Sequence, residues 1–283
     1  MSPSSTPSGP PTTAIQPAPT SALATGEGKG AGPDLALRVV DIKKSFGDRQ
    51  VLKGVSVDVP RGSILVVLGG SGMGKSVLMK HMIGLLKPDS GAVIVDGEDI
   101  TRLNAVGLKK VRSKFGMVFQ NGALFDSMTN YENVAFPLRE HRKNLKGEAL
   151  DKRVRELFGL FSLDPDTVGP RFPSEISGGQ RKRVGLARAV ALEPQIVLYD
   201  EPTTGLDPIT TDQVDEMILE AKQKLNVTSI VISHDIASAF KIADDIIFVY
   251  DGNIVAEGLK DEMLASKHPF VEQFFATWRS KNA

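Results

Sequence analysis

No cysteine occurs in the 283 residues, which excludes disulfides, thiolate metal sites and thiol redox chemistry. Net charge is missing as well: Lys+Arg and Asp+Glu each total 34, so no bulk field draws the chain to nucleic acid or to anionic lipid. Long apolar runs are also absent. The longest, such as Ile64–Leu68 and Ile246–Tyr250, fall far short of the ~20 residues of a membrane-spanning helix. The first residues have no signal-peptide core. The chain is therefore read as one that does not cross a membrane by itself.

What is present is an ordinary globular composition, 41% hydrophobic and 24% charged, long enough for one large α/β domain. Residues 1–33 hold seven of the 17 prolines among Ser, Thr, Gly and Ala. Such a composition buries too little apolar surface to offset chain entropy, so a disordered tail is expected there. A docking arm or targeting peptide is the alternative, although the Arg-rich amphipathic pattern of a transit sequence is lacking.

Beyond Leu37, short β-branched runs alternate with helical patterns: Ile64–Leu68 before a helix from Gly74, then Phe115–Phe119, Ile196–Asp200, Thr228–Ser233 and Ile246–Asp251. This predicts βα units on a mainly parallel sheet. Leu37–Lys43 and Val51–Val59 alternate in polarity and are expected to pair as antiparallel edge strands. Between about Thr129 and Phe172 only helical spacing remains, through Val154, Leu157, Phe158 and Phe161, which marks a helical insertion. After Gly258 come two helical pieces, Lys260–Ser266 and Pro269–Arg279. The aromatic stripe Phe270, Phe274, Phe275 and Trp278 on the second suits packing on its own domain or on a partner subunit equally.

Gly69-Gly70-Ser71-Gly72-Met73-Gly74-Lys75-Ser76 fits G-x-x-x-x-G-K-[ST] and lies between an apolar strand and a helical pattern. Glycines let successive backbone N–H groups face inward and the helix adds its positive end, so the loop cradles a polyphosphate. Lys75 supplies charge for the β and γ phosphates, and Ser76 a hydroxyl for Mg²⁺. The run Ile196–Tyr199 ends in Asp200-Glu201, delivering two carboxylates to the crevice where α/β sheets bind ligands. Asp200 is expected to serve Mg²⁺ and Glu201 to polarise the attacking water as general base.

With Ser177-Gly178-Gly179-Gln180-Arg181 about a hundred residues after Lys75, the set resembles the ATP-binding cassette of ABC proteins, over about residues 35–258. The resemblance implies a phosphate-loop NTPase fold with an antiparallel β edge subdomain and a helical insertion at about 125–175, and beyond the cassette a helical tail at 259–283. It implies that Ser177 and the backbone after it bind the γ-phosphate of an ATP held by the other subunit, so that two chains close head to tail on two nucleotides. It further assigns Phe46 to adenine stacking, although an ordinary core Phe fits that position equally. Gln120 is assigned to Mg²⁺ and water, Asp207 to linking the two sites, and His234 to the γ-phosphate. The family commonly has Thr where Val77 stands, so altered nucleotide affinity is expected, not lost activity.

Gly69–Gly91, Gly122–Leu138 and His234–Phe240 with Ala243 and Asp244 are similar to a narrower group, the ATPases of Mla-type phospholipid transporters, whose pattern includes Val77. The group implies a cytoplasmic ATPase homodimer, peripheral on the inner membrane, with an integral membrane permease and an MCE-domain lipid-binding protein. No nucleic-acid partner is implied. The permease contact is expected at Asn121–Tyr131. The alternatives are the ATPase of a polar-solute importer and a soluble non-transport ABC ATPase. The soluble class usually carries paired cassettes or a long coiled coil, and this chain has one cassette and no heptad run.

Overall fold

The computed structural model describes residues 34–119 and 122–282. The tail expected over residues 1–33 lies outside them, as do Gln120 and Asn121. Strands and helices are numbered in chain order. β1 (Leu35–Phe46), β2 (Arg49–Pro60), β4 (Ser90–Val95) and β5 (Glu98–Asp99) form an antiparallel sheet in the order β2-β1-β4-β5. β1 is thus an interior strand of a separate sheet, because β4, which alternation alone did not reveal, covers its second side. From Val55 to Pro60 the burial of β2 alternates strictly, the signature of a half-buried antiparallel strand.

The second sheet holds six strands in the order β10-β9-β3-β8-β7-β6, namely β10 (Asn253–Gly258), β9 (Asp245–Tyr250), β3 (Ile64–Leu68), β8 (Thr228–Ile232), β7 (Ile196–Asp200) and β6 (Phe115–Phe119). All neighbours are parallel except β10 and β9. β3 and β8 are buried at every residue, which is why they read as unbroken apolar runs. The twofold period of a strand divides them between two cores. Ile64, Val66 and Leu68 point into the core shared with the helices, while Leu65 and Val67 face the antiparallel sheet.

On the helical side lie α3 (Asn130–His141), α4 (Gly147–Leu160), α5 (Gly178–Val190), α6 (Pro208–Leu225) and α7 (Ile236–Ile242). Helix α1 (Lys75–Met82) sends Leu78, Met79 and Met82 into the other core, and α2 (Ala105–Arg112) and α8 (Lys260–Leu264) complete the set with α9 (Pro269–Asn282). The aromatic stripe of α9 packs on its own domain. Phe270 stacks on Tyr250 with centroids 4.1 Å apart, Phe275 on Phe240 at 5.6 Å, and Trp278 meets Phe240 edge-on at 5.9 Å.

α6 and α7 are joined through a buried acid. Ser238 Oγ lies 2.8 and 2.9 Å from the two carboxyl oxygens of Asp215, which is 3% exposed. A hydroxyl has one hydrogen, so both contacts become hydrogen bonds only when the carboxyl is protonated and returns one. Burial pushes the Asp215 pKa up to about 6. The folded state therefore holds its proton more tightly than the unfolded chain. The stabilisation from that proton is full below the ordinary carboxyl range and is lost as pH rises through about 6. Asp215→Asn, which carries the same donor and acceptor without charge, should raise the melting temperature at pH 7.5 by several degrees and by only about a third as much near pH 4.5, where the unfolded carboxyl is already largely ionised. An equal effect at both pH values in thermal unfolding would refute the buried charge.

Candidate functional site

Parallel register sets the site. Phe119 is level with Asp200, Asp200 with Ile232, and Ile232 with Val67. Four strands therefore end in one row, and just beyond three of those ends come sequence-predicted site residues: Glu201 after β7, Ser233-His234 after β8, and the glycine loop after β3. Gln120, next in the chain after β6, lies outside the described residues.

The loop from Gly69 to Gly74 turns on left-handed glycines: Gly69, Gly72 and Gly74 have φ of 148, 75 and 101°. At Gly69 a side chain would also strike the carbonyl of Val249 on β9, so the site demands glycine sterically as well as conformationally. Gly70, partly buried, and exposed Ser71 come next in the loop. Met73 anchors the loop in the core facing the antiparallel sheet, and so does Val77 one turn later. Gly74 caps α1, and Lys75, 5% exposed, sends Nζ back to the carbonyls of Gly69 and Gly70 at 2.8 and 2.9 Å. Burial lowers the pKa of this ammonium, countered by Glu201 and Asp200. The Ser76 hydroxyl is on an exposed residue beside it.

Asp200 ends β7 half-buried, and burial together with Glu201 raises its pKa against the pull of Lys80 and Lys75. Glu201 has φ of 49°, a left-handed conformation costing an L-residue roughly 1–2 kcal/mol. Its N–H donates to Ile232 O at 3.0 Å, tying it to the next strand. One carboxylate oxygen accepts the Thr204 hydroxyl at 3.0 Å and stands 3.6 Å from His234 Nδ1. Ser233 N–H donates to Val67 O at 3.1 Å, and Ser233 Oγ accepts from Asp235 N–H, fixing the turn that carries His234. The structure thus brings Lys75, Asp200, Glu201 and His234 to one sheet edge. Thr204 and Ser233 give no signal in the sequence because a lone hydroxyl in a loop carries no pattern.

Ser177 stands elsewhere, as the exposed N-cap of α5, exchanging hydrogen bonds with Gln180 at 3.0 and 3.2 Å. Gly178 and Gly179 open the helix, and no acidic residue lies in its first turn. α5 packs on α3, α4, α6 and β6, whereas α1 packs on β2 and β8. Asp207 caps α6, accepting from the N–H groups of Ile209 and Thr210 at 3.0 Å. Phe46 ends β1 48% exposed, with Lys44 Nζ 5.6 Å from its ring centre. It is a surface aromatic and not the core Phe that was equally compatible with the sequence.

A six-stranded mainly parallel sheet, a glycine loop opening a helix, and two carboxylates at the neighbouring strand end define a phosphate-loop nucleotide-binding domain. The ABC transporter family model matches residues 52–204, and the chain belongs to the ABC transporter family as an ATP-binding subunit. It is 42% identical over 240 residues to the "Probable ribonucleotide transport ATP-binding protein mkl" of Mycobacterium leprae, which covers 85% of this chain and 68% of that protein. The same-named protein of Mycobacterium tuberculosis strain H37Rv is 66% covered; the chain spans about two thirds of the length of these relatives. It is 40% identical to the "Intermembrane phospholipid transport system ATP-binding protein MlaF" of Haemophilus influenzae, covering 84% of this chain and 89% of that one. Among solved structures, cbiO1 from Clostridium perfringens, part of the ABC transporter complex cbiONQ, has a TM-score of 0.75 at 30% identity and covers 83% of this chain and 92% of its own. The ATP-binding cassette MJ0796, a dimer in a post-hydrolysis state bound to ADP and Pi, has a TM-score of 0.70 at 31% identity, covering 79% of this chain and 98% of that one.

Gly69→Ala should lower ATP affinity at least about tenfold, because the loop must leave β9 to admit a methyl group. Lys75→Ala should abolish measurable binding. Titration of a fluorescent ATP analogue checks both, and near-native affinity in Gly69→Ala would contradict the close approach to Val249.

Proposed function

We propose that the chain hydrolyses ATP as a head-to-tail homodimer and that hydrolysis drives phospholipid through a membrane permease. The observation that carries the hydrolytic reading is the single row of strand ends that sets Glu201 and His234 beside the Lys75 loop. In this reading the inward N–H groups of Gly70 to Ser76 and the Lys75 ammonium hold the polyphosphate, Phe46 stacks on adenine, and Glu201 takes a proton from the attacking water. His234, facing the same carboxylate, donates to the γ-phosphate, and Thr204 keeps Glu201 oriented by giving it a hydrogen bond.

Mg²⁺ binds through few protein oxygens and keeps phosphate and water for the rest of its shell. The hydroxyl of Ser76, the carboxylate of Asp200 and the amide of Gln120 fit that need, and the described residues hold no metal cage of three or more His, Cys, Asp or Glu. When bound there, the ion supplies positive charge to the β and γ phosphates.

The second half of each site comes from the partner chain. Ser177 Oγ accepts from Gln180 N–H, so its own hydrogen remains a donor for the γ-phosphate of the partner's ATP. The N–H groups of Gly178 and Gly179, at the positive end of α5, add to it, and Asp207 at the head of α6 links the two sites. Glu201→Gln should therefore give a stable dimer at saturating Mg-ATP in light scattering; a monomer would overturn the clamp.

Phe125 and Phe136, 43% and 36% exposed with ring centroids 5.1 Å apart, are offered as the permease contact. No described helix is long and apolar enough to span a membrane, which suits a subunit docked on a separate permease at the cytoplasmic face of the inner membrane. The phospholipid reading is supported by the MlaF relatives, of which this chain covers 86–89% at 39–40% identity. A second reading, a polar-solute importer, is favoured by the mkl relatives, named as probable ribonucleotide transport ATP-binding proteins, at 42% identity.

Purifying the native complex in mild detergent and identifying its proteins and lipids by mass spectrometry separates them. A multi-pass permease with an MCE-domain protein and bound phospholipid supports the first reading; a solute-binding protein with no MCE partner supports the second. Phe125→Asp should leave ATP affinity within about twofold of wild type and remove the permease from the complex. Retention of the permease would refute this contact.

A further inference from the structure

The loop after Gln120 is fastened to α5 by a group that neither nucleotide binding nor hydrolysis uses. Arg188 donates through Nη1 to the carbonyl of Ala123 and through Nη2 to that of Gly122, both at 2.8 Å. Its guanidinium carbon lies 5.7 Å from the ring centre of Phe125. No carboxylate among the described residues pairs with it, and burial lowers its pKa. A partly buried cation without a counter-charge loses some of its hydration, and the two carbonyls and the ring face are what offset that cost here.

The backbones also meet. A side chain at Gly185 of α5 would lie 3.1 Å from Gly122 Cα, and one at Gly122 would lie 3.3 Å from the carbonyl of Arg181. The far end of the loop is held by buried Asn133 of α3, whose Oδ1 accepts from Phe125 N–H at 2.7 Å while its Nδ2 faces the carbonyls of Phe125, Met128 and Thr129 at 3.0–3.2 Å. Phe125 therefore sits exposed on a segment with little freedom of its own.

We propose that Arg188 is a positioning residue that straps the Gly122–Phe125 loop to α5, so that a load on Phe125 reaches Ser177 at the head of that helix. This rests on the reading of Phe125 as the permease contact only for the source of the load. The fork of a guanidinium matches two successive carbonyls, and lysine cannot reproduce it, so Arg188→Lys keeps the charge and removes the strap.

The test is hydrogen exchange on the full chain, comparing the uncharged variant Phe125→Ala with its parent in the Arg188 and Arg188→Lys backgrounds. With arginine present, Phe125→Ala should speed exchange of the Gly179–Arg183 amides at least about fivefold; with lysine, the two rates should agree within about twofold. Gly185→Ala, whose methyl group would press on Gly122 Cα from 3.1 Å and push the loop outward against the strap, should weaken the transmission in the same direction as Arg188→Lys and serves if the lysine chain folds poorly. Equal transmission in both backgrounds, or none in either, overturns the strap. In the native complex, Arg188→Lys should retain the basal ATPase rate and lose stimulation by the permease. Undiminished stimulation also overturns the strap. A wild-type complex that is not stimulated removes the permease reading and leaves the exchange result to decide on Arg188.

Discussion

The parallel hydrogen-bond register of β6, β7, β8 and β3 is the constraint on which the rest depends. Because Phe119, Asp200, Ile232 and Val67 stand level, the chain leaves all four strands at one height, and Glu201, His234 and the glycine loop follow directly from that row. A slip of one residue in any of these strands would turn its side chains to the opposite face and carry its functional residue out of the row. The register is in turn fixed by burial, since β3, β7 and β8 send alternate side chains to two separate apolar cores. Stability and placement of the site are thus set by the same packing.

Several features of the crevice are unfavourable in isolation. Lys75 is buried, Asp200 and Glu201 adjoin, and Glu201 takes a left-handed backbone. Each has a local offset. Loop carbonyls receive the ammonium, Lys75 and Lys80 oppose the crowding of the carboxylates, and the Glu201 N–H is held by Ile232. A polyphosphate would meet an arrangement already in place, which is what electrostatic preorganisation requires. The α6–α7 junction is different in kind, because Asp215 and Ser238 place a titrating bond between the helix capped by Asp207 and the helix just after His234.

The glycine loop, the Asp200-Glu201 strand end and the Ser177 cap were legible in the sequence because their chemistry is local and their spacing leaves few alternatives. β3, β7, β8 and β9 were legible for a related reason, since strands covered on both faces carry unbroken apolar sequence, and the edge strand β6 was legible from its apolar run although it is only half-buried. β4, β5 and β10 were not, being short, partly exposed and rich in Gly or acidic residues. Phe46 and the stripe on α9 were undecided between surface, partner and core, because an aromatic's neighbours are set by elements distant in the chain. Arg188 gave no signal at all. It lies in an unremarkable helical stretch, and its partners are carbonyls 65 and 66 positions away.

By itself the sequence determined the class of ligand and the family, because a polyphosphate is held by backbone N–H groups, a lysine and a helix end that one short segment supplies. It also determined that Ser177 opens a helix, since the exchange with Gln180 spans three residues. Only the tertiary structure decided that Glu201 faces His234 and Thr204, that the aromatics of α9 pack on Phe240, Phe248 and Tyr250, and that the Gly122–Phe125 loop is fastened to α5. Those contacts join residues from about 20 to 66 positions apart, apart from Glu201 and Thr204. They exist only once strand register and helix packing have brought separate segments together, and nothing in local spacing encodes that.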